Sequence, residues 1–98
     1  YSNAEIFSHV FKTLGIGKLV GVPTNGSVIS TGGKGLMDGS FVRLPFRGWY
    51  TKATDKNQEL GAAVPDIIVY NSPDWIAKGT DDQLKAAVDE LMKGLPKK

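Results

Sequence analysis

Five of the chain's twelve glycines fall between Gly26 and Gly39, and that cluster limits the fold more than any other feature of the sequence. Glycine carries tight turns and weakens a helix interior by about 0.5–1 kcal/mol relative to alanine. Residues 24–39 therefore break into short strands and turns around Val28-Ile29 and Leu36-Met37 rather than continuing a helix. Asp38-Gly39 is a two-residue hairpin signal, with Phe41-Val42-Arg43-Leu44-Pro45-Phe46 as the returning strand and a further strand over Trp49 to Thr51. Residues 52–63 are polar and read as a loop, and Ile67-Ile68-Val69-Tyr70 is a β-branched run ended by Asn71-Ser72-Pro73.

Helix signals flank this region. Ser2-x-x-Glu5 has the form of a capping box, and Ile6, Phe7, Val10, Phe11 and Leu14 recur at helical spacing before Gly15, which predicts a helix over 3–14. Lys18 to Val22 is short, apolar and bounded by Gly17 and Pro23, as a buried strand would be. Thr80-x-x-Gln83 has the capping-box form again, followed by a stripe of Leu84, Ala87, Val88, Leu91 and Met92 on a helix ending near Gly94. Helix, strand, hairpins and helix in this order describe an α/β unit of at most one domain.

Residue 1 is Tyr, and the first helix begins before any element that it could pack against. That predicts a truncated or processed chain that lacks part of its fold. Charge does not suggest nucleic acid: 12 Lys and Arg against 10 Asp and Glu give +2, with the signs interspersed. With no Cys and one His, disulfides and thiolate metal sites are excluded and another metal site is unfavoured; no cofactor is expected. No apolar run approaches the roughly 20 residues of a membrane span, and Lys97 and Lys98 read as a solvated tail.

Few residues could carry chemistry. Gly32-Gly33-Lys34-Gly35 lacks P-loop spacing and has no helix after it, so it reads as a turn between strands. His9 lies roughly 10 Å along the helix from Ser2, beyond the ~3 Å a general base needs, and reads as a solvent-facing residue. Ser2 is by spacing first of all an N-cap, yet a serine hydroxyl at a helix N-terminus also stands beside free amides able to stabilise an oxyanion. Trp49-Tyr50 beside a strand edge could line a groove for an extended peptide, although such aromatics more often serve as core or interface.

Four segments taken in order are more specific. Ser2-Asn3-Ala4-Glu5-Ile6-Phe7 with its helix, Gly17-Lys18-Leu19-Val20-Gly21-Val22-Pro23-Thr24-Asn25-Gly26, Asp38-Gly39-Ser40 before an Arg-containing strand, and Gly61 to Val69 (GAAVPDIIV) together resemble peptidase family S41, whose branches are tail-specific and tricorn-like. The resemblance implies a ClpP/crotonase-like α/β fold, with residues 1–98 the C-terminal portion of the catalytic domain and its upstream part missing: a partial domain with a mixed sheet that includes residues 18–22, the first helix packed on that sheet and the last helix covering another face. It also implies a serine peptidase with Ser2 as nucleophile and the Asn3 amide as an oxyanion-hole donor. The tail-specific branch carries a Lys base where this chain has Ser27. The tricorn-like branch uses an upstream His assisted by a Glu six residues before the Pro of the P-D pair, the place of Glu59 before Pro65, so the resemblance favours that branch.

On this reading the complete protein is an endopeptidase acting on peptides or unfolded protein, and the fragment alone is inactive for want of its base. The alternative is a binding or scaffold module on the same fold. A homo-oligomer and a cell-envelope or periplasmic location accord with the family, but the residues decide neither.

Overall fold

The computed structural model describes residues 1–96. Helix α1 spans Asn3–Thr13. Gly15, at φ 62, ends it: the Gly15 amide donates to the Lys12 carbonyl at 3.1 Å and the Ile16 amide to the Phe11 carbonyl at 3.2 Å. These are the two paired bonds of a Schellman end, and they satisfy carbonyls the helix leaves open. The start of α1 departs from the capping box. Ser2 is the N-cap residue, but its side chain makes no cap bond, and its own amide goes to the Ser27 carbonyl at 2.7 Å rather than to Glu5.

Strand β1 is Val20–Gly21. Strand β2, Ser30–Gly35, and strand β3, Phe41–Arg47, form an antiparallel arm. Its turn is longer than the Asp-Gly pair alone suggests. The Leu36 amide donates to the Ser40 carbonyl and the Gly39 amide to the Leu36 carbonyl, so three residues form the loop, and only Gly39 takes a positive φ, 82. Asp38 cannot be the first residue of a type I′ turn, which needs positive φ at both central positions; its Oδ1 instead accepts from the Ser40 amide and hydroxyl. Gly32 to Gly35 lie within β2, not in a turn. A Cβ at Gly33 would fall 1.8 Å from the Phe41 ring, so this position admits the ring only without a side chain.

Strand β4, Tyr50–Thr51, pairs with strand β5, Lys56–Asn57, inside the stretch read as a loop. A two-residue strand of Lys and Asn carries no apolar alternation, so the sequence gives no sign of it. Strand β6, Ile67–Ile68, runs parallel to β1 with Val20 opposite Ile67. Parallel and antiparallel pairs thus both occur, distributed over three two-stranded ladders. A single turn, α2, covers Trp75–Lys78 and stops at the left-handed Gly79.

Helix α3 spans Asp82–Met92. Its N-cap is Asp81, one residue beyond the expected Thr80: Asp81 accepts from the Leu84 amide at 2.9 Å, and Gln83 reaches the Val69 carbonyl instead of closing a box. Together with the Lys18–Glu90 ion pair, the Gln83 bond lays α3 against β1. The expected packing of α1 on the sheet of β1 and β6 is not observed among the described residues. Instead α1 grips irregular backbone: Lys12 donates to the Val64 carbonyl, and Asp66 joins Lys12 to the Leu19 amide.

Apolar burial centres on Val28 and Ala63, each 3% exposed. The radius of gyration is 18.2 Å, against about 13 Å for a compact domain of this length. The arm and the Leu84, Val88, Leu91 and Met92 stripe of α3 stay largely uncovered among the described residues. Lys97 and Lys98, expected to be a solvated tail, lie outside those residues.

Candidate active site

The turn into α1 carries the site's least ordinary backbone. Ser2 has φ 55 and ψ −125. No L-residue adopts those angles freely, and outside glycine such conformations cost about 1–3 kcal/mol and concentrate at functional positions. Ser2 is thus exposed on a sharp entry into a helix, its hydroxyl free of any cap bond. The neighbouring Asn3 amide, one of the orphan donors of the helix start, makes no hydrogen bond among the described residues.

Behind the turn, the 24–29 segment ties the candidate residues together. The Ser27 carbonyl accepts from the Ser2 amide at 2.7 Å, while the Val28 and Ile29 amides donate to Glu59 Oε2 at 2.7 and 2.6 Å. Glu59 is therefore no freely solvated loop carboxylate. One residue on, the Leu60 amide donates to the Gly26 carbonyl at 2.7 Å. Gly26 has φ 83, and a Cβ there would stand 3.2–3.3 Å from the backbone of Leu60, Gly61 and Ala62, so the two segments approach as closely as backbones can. The Ser27 hydroxyl accepts from Asn25, as a turn serine would.

Glu5, read from spacing as half of a capping box, is instead the one fully buried charged side chain among the described residues, with 0% exposure. Its Oε1 accepts from the Gly26 amide at 2.7 Å and from the Tyr1 nitrogen at 2.9 Å; Oε2 is buried with no partner among the described residues. Burial pushes its pKa up, but the neighbouring Thr24 hydroxyl, the positive charge that Tyr1 carries as the first residue of this chain and the Gly26 amide outweigh that and hold it below its ordinary 4.5. His9 is likewise not the solvent-facing residue expected: half-buried, it bonds the Gly61 carbonyl through Nε2 at 2.9 Å. With Ile6, Val28 and the Trp49-Tyr50 pair it lines a cavity of about 200 Å³. Trp49 is fixed there by its indole N–H on the Ser30 hydroxyl at 2.9 Å.

The profile of Peptidase family S41 matches residues 1–69, which contain this whole network. The chain belongs to peptidase family S41. Its similarities lie on the tricorn-like side of the family. It is 35% identical over 96 residues to the tricorn protease of Thermoplasma acidophilum and 29% identical over 97 residues to that of Thermoplasma volcanium, covering 96% and 98% of this chain. Tricorn protease homolog 1 of Streptomyces coelicolor is 33% identical over 88 residues, 89% of the chain. A crystal structure of the tricorn protease superposes with a TM-score of 0.83 at 32% identity over 95% of the chain. The chain spans about 9% of the length of each Thermoplasma relative and 8% of the Streptomyces one. The α/β partial fold expected from the S41 resemblance is thus the fold observed.

Proposed function

We propose that this chain is part of the catalytic domain of a serine endopeptidase and carries its nucleophile, Ser2. The observation that carries the reading is the strained, uncapped Ser2 at the head of α1, next to an unengaged Asn3 amide. In the reaction a base withdraws the Ser2 hydroxyl proton as Oγ attacks the scissile carbonyl, and the negative charge on the tetrahedral oxygen is met by the Asn3 N–H and the positive end of the α1 dipole. As that intermediate collapses the base returns the proton to the leaving nitrogen, the amine departs and an acyl-Ser2 ester remains, which water then hydrolyses to free the acid and restore the hydroxyl.

The base comes from outside this chain. Ser27 offers no amine for a Ser-Lys pair, and His9, seven residues along α1, is engaged with Gly61. As the resemblance to the tricorn-like branch implies, that base is an upstream histidine, and Glu59, bonded to two backbone amides, orients it. Peptide or unfolded protein is the substrate. Without the upstream part of the domain, the 98-residue chain has no hydrolytic activity. The uncovered apolar faces of the arm and of α3 support packing against the rest of the protein or a second copy.

The test is fluorophosphonate labelling of the full-length protein, with the adduct located by peptide mass spectrometry. Adduct on Ser2, absent from Ser2→Ala, is expected. A folded full-length protein that takes no adduct there would overturn the reading and favour a binding or scaffold module on the same fold.

A further inference from the structure

Fully buried carboxylates are costly unless their bonds repay desolvation, and Glu5 leaves Oε2 without a partner among the described residues. Its position shows what its bonds hold. Glu5 sits one turn into α1, and its Oε1 receives the Gly26 amide at 2.7 Å, while at the head of the same turn the Ser2 amide is held by the Ser27 carbonyl at 2.7 Å. Two bonds from adjacent residues of the 24–27 segment thus grip both ends of the Ser2–Glu5 turn. Gly26 passes the restraint on, since its carbonyl receives the Leu60 amide beside Glu59, whose own Oε2 holds Val28 and Ile29.

We infer that Glu5 is a positioning residue, whose buried carboxylate clamps Gly26 to the first turn of α1 and so keeps Ser2 in its attacking conformation and in register with Glu59. A capping role is excluded, because the Ser2 amide that a capping box requires is bonded to Ser27. With the clamp removed, the Ser2 backbone has one fewer restraint against relaxing out of its strained angles, and the hydroxyl and the Asn3 amide move together away from the reacting carbonyl. The inference rests on Ser2 being the nucleophile.

The experiment compares wild type, Glu5→Ala and Glu5→Gln in the full-length protein. It measures the rate of fluorophosphonate labelling at Ser2, kcat and KM on a peptide substrate, and hydrogen–deuterium exchange in peptides covering residues 22–29. Glu5→Ala is expected to lower labelling rate and kcat together by about 100-fold, the scale of an ångström-sized misplacement, with KM unchanged, and to speed exchange in 22–29. Glu5→Gln keeps an acceptor oxygen for Gly26 and should restore most of both. If Glu5→Ala fails to fold, the Gln variant decides: labelling near wild type with a protected 22–29 segment supports the clamp. Unchanged labelling in folded Glu5→Ala, or loss of activity in both variants with 22–29 exchange unaltered, overturns it. Should wild type itself take no label, the nucleophile assignment fails separately; the exchange data still show whether Glu5 holds the segment, and unaltered exchange in Glu5→Ala then removes the clamp too.

Discussion

Replacing Ser2 with glycine should make the turn into α1 more stable while, on the proposed function, abolishing chemistry. At φ 55 and ψ −125 the serine Cβ is strained by about 1–3 kcal/mol, whereas glycine occupies that region freely. Against the relief stands glycine's larger unfolded-state entropy, about 0.4–1 kcal/mol. No cap bond is lost, because the Ser2 side chain makes none. The balance is a gain of about 0.5–2 kcal/mol, and since about 1.4 kcal/mol is a factor of ten, exchange of the first-turn amides of α1 should slow by about 2- to 30-fold. Ser2→Ala keeps the strain and should change exchange little. Native-state hydrogen exchange on the full-length protein is the assay, because local opening there is read without assuming that a large protein unfolds in two states. If the hydroxyl were a cap, alanine would cost about 1 kcal/mol and glycine a few tenths. Faster exchange in Ser2→Ala, with no slowing in Ser2→Gly, would refute the strained-turn argument.

Two further expectations concern α3. Asp81→Ala removes the bond to the Leu84 amide and should cost about 1 kcal/mol, accelerating first-turn exchange about fivefold, whereas Thr80→Ala should leave it unaltered; equal effects would restore Thr80 as the cap. Glu90 is held at about 2, below its ordinary 4.5, by Lys18 first and then Lys93. A depressed carboxylate stabilises the fold above its unfolded pKa and loses that contribution as protons bind, so α3 protection should decline between about pH 4.5 and 2. Glu90→Gln should flatten that decline, and an identical acid profile in the variant would show that the ion pairs are without effect.

The Gly15 stop, the arm turning at Asp38-Gly39 and the apolar stripe of α3 were legible because each is written within a few consecutive residues. The family was legible for a related reason: its four segments keep their order and their local spacing between Ser2 and Val69. Strand β5 and the single turn α2 were not, having neither periodicity nor length to mark them.

Sequence by itself determined α1, α3 and the returning strand of the arm, and which serine heads α1. Only tertiary structure decided what the polar side chains there do. Spacing assigned Ser2 and Glu5 to each other, and local rules could do no more, because they see partners within about four residues. The observed partners are remote: Glu5 bonds a backbone amide 21 residues away, Glu59 one 31 away, and His9 a carbonyl 52 away. The physical reason lies in the irregular 24–29 and 58–64 segments. Backbone without its own ladder must find donors and acceptors elsewhere, and here it takes them from the side chains of α1 and from Glu59.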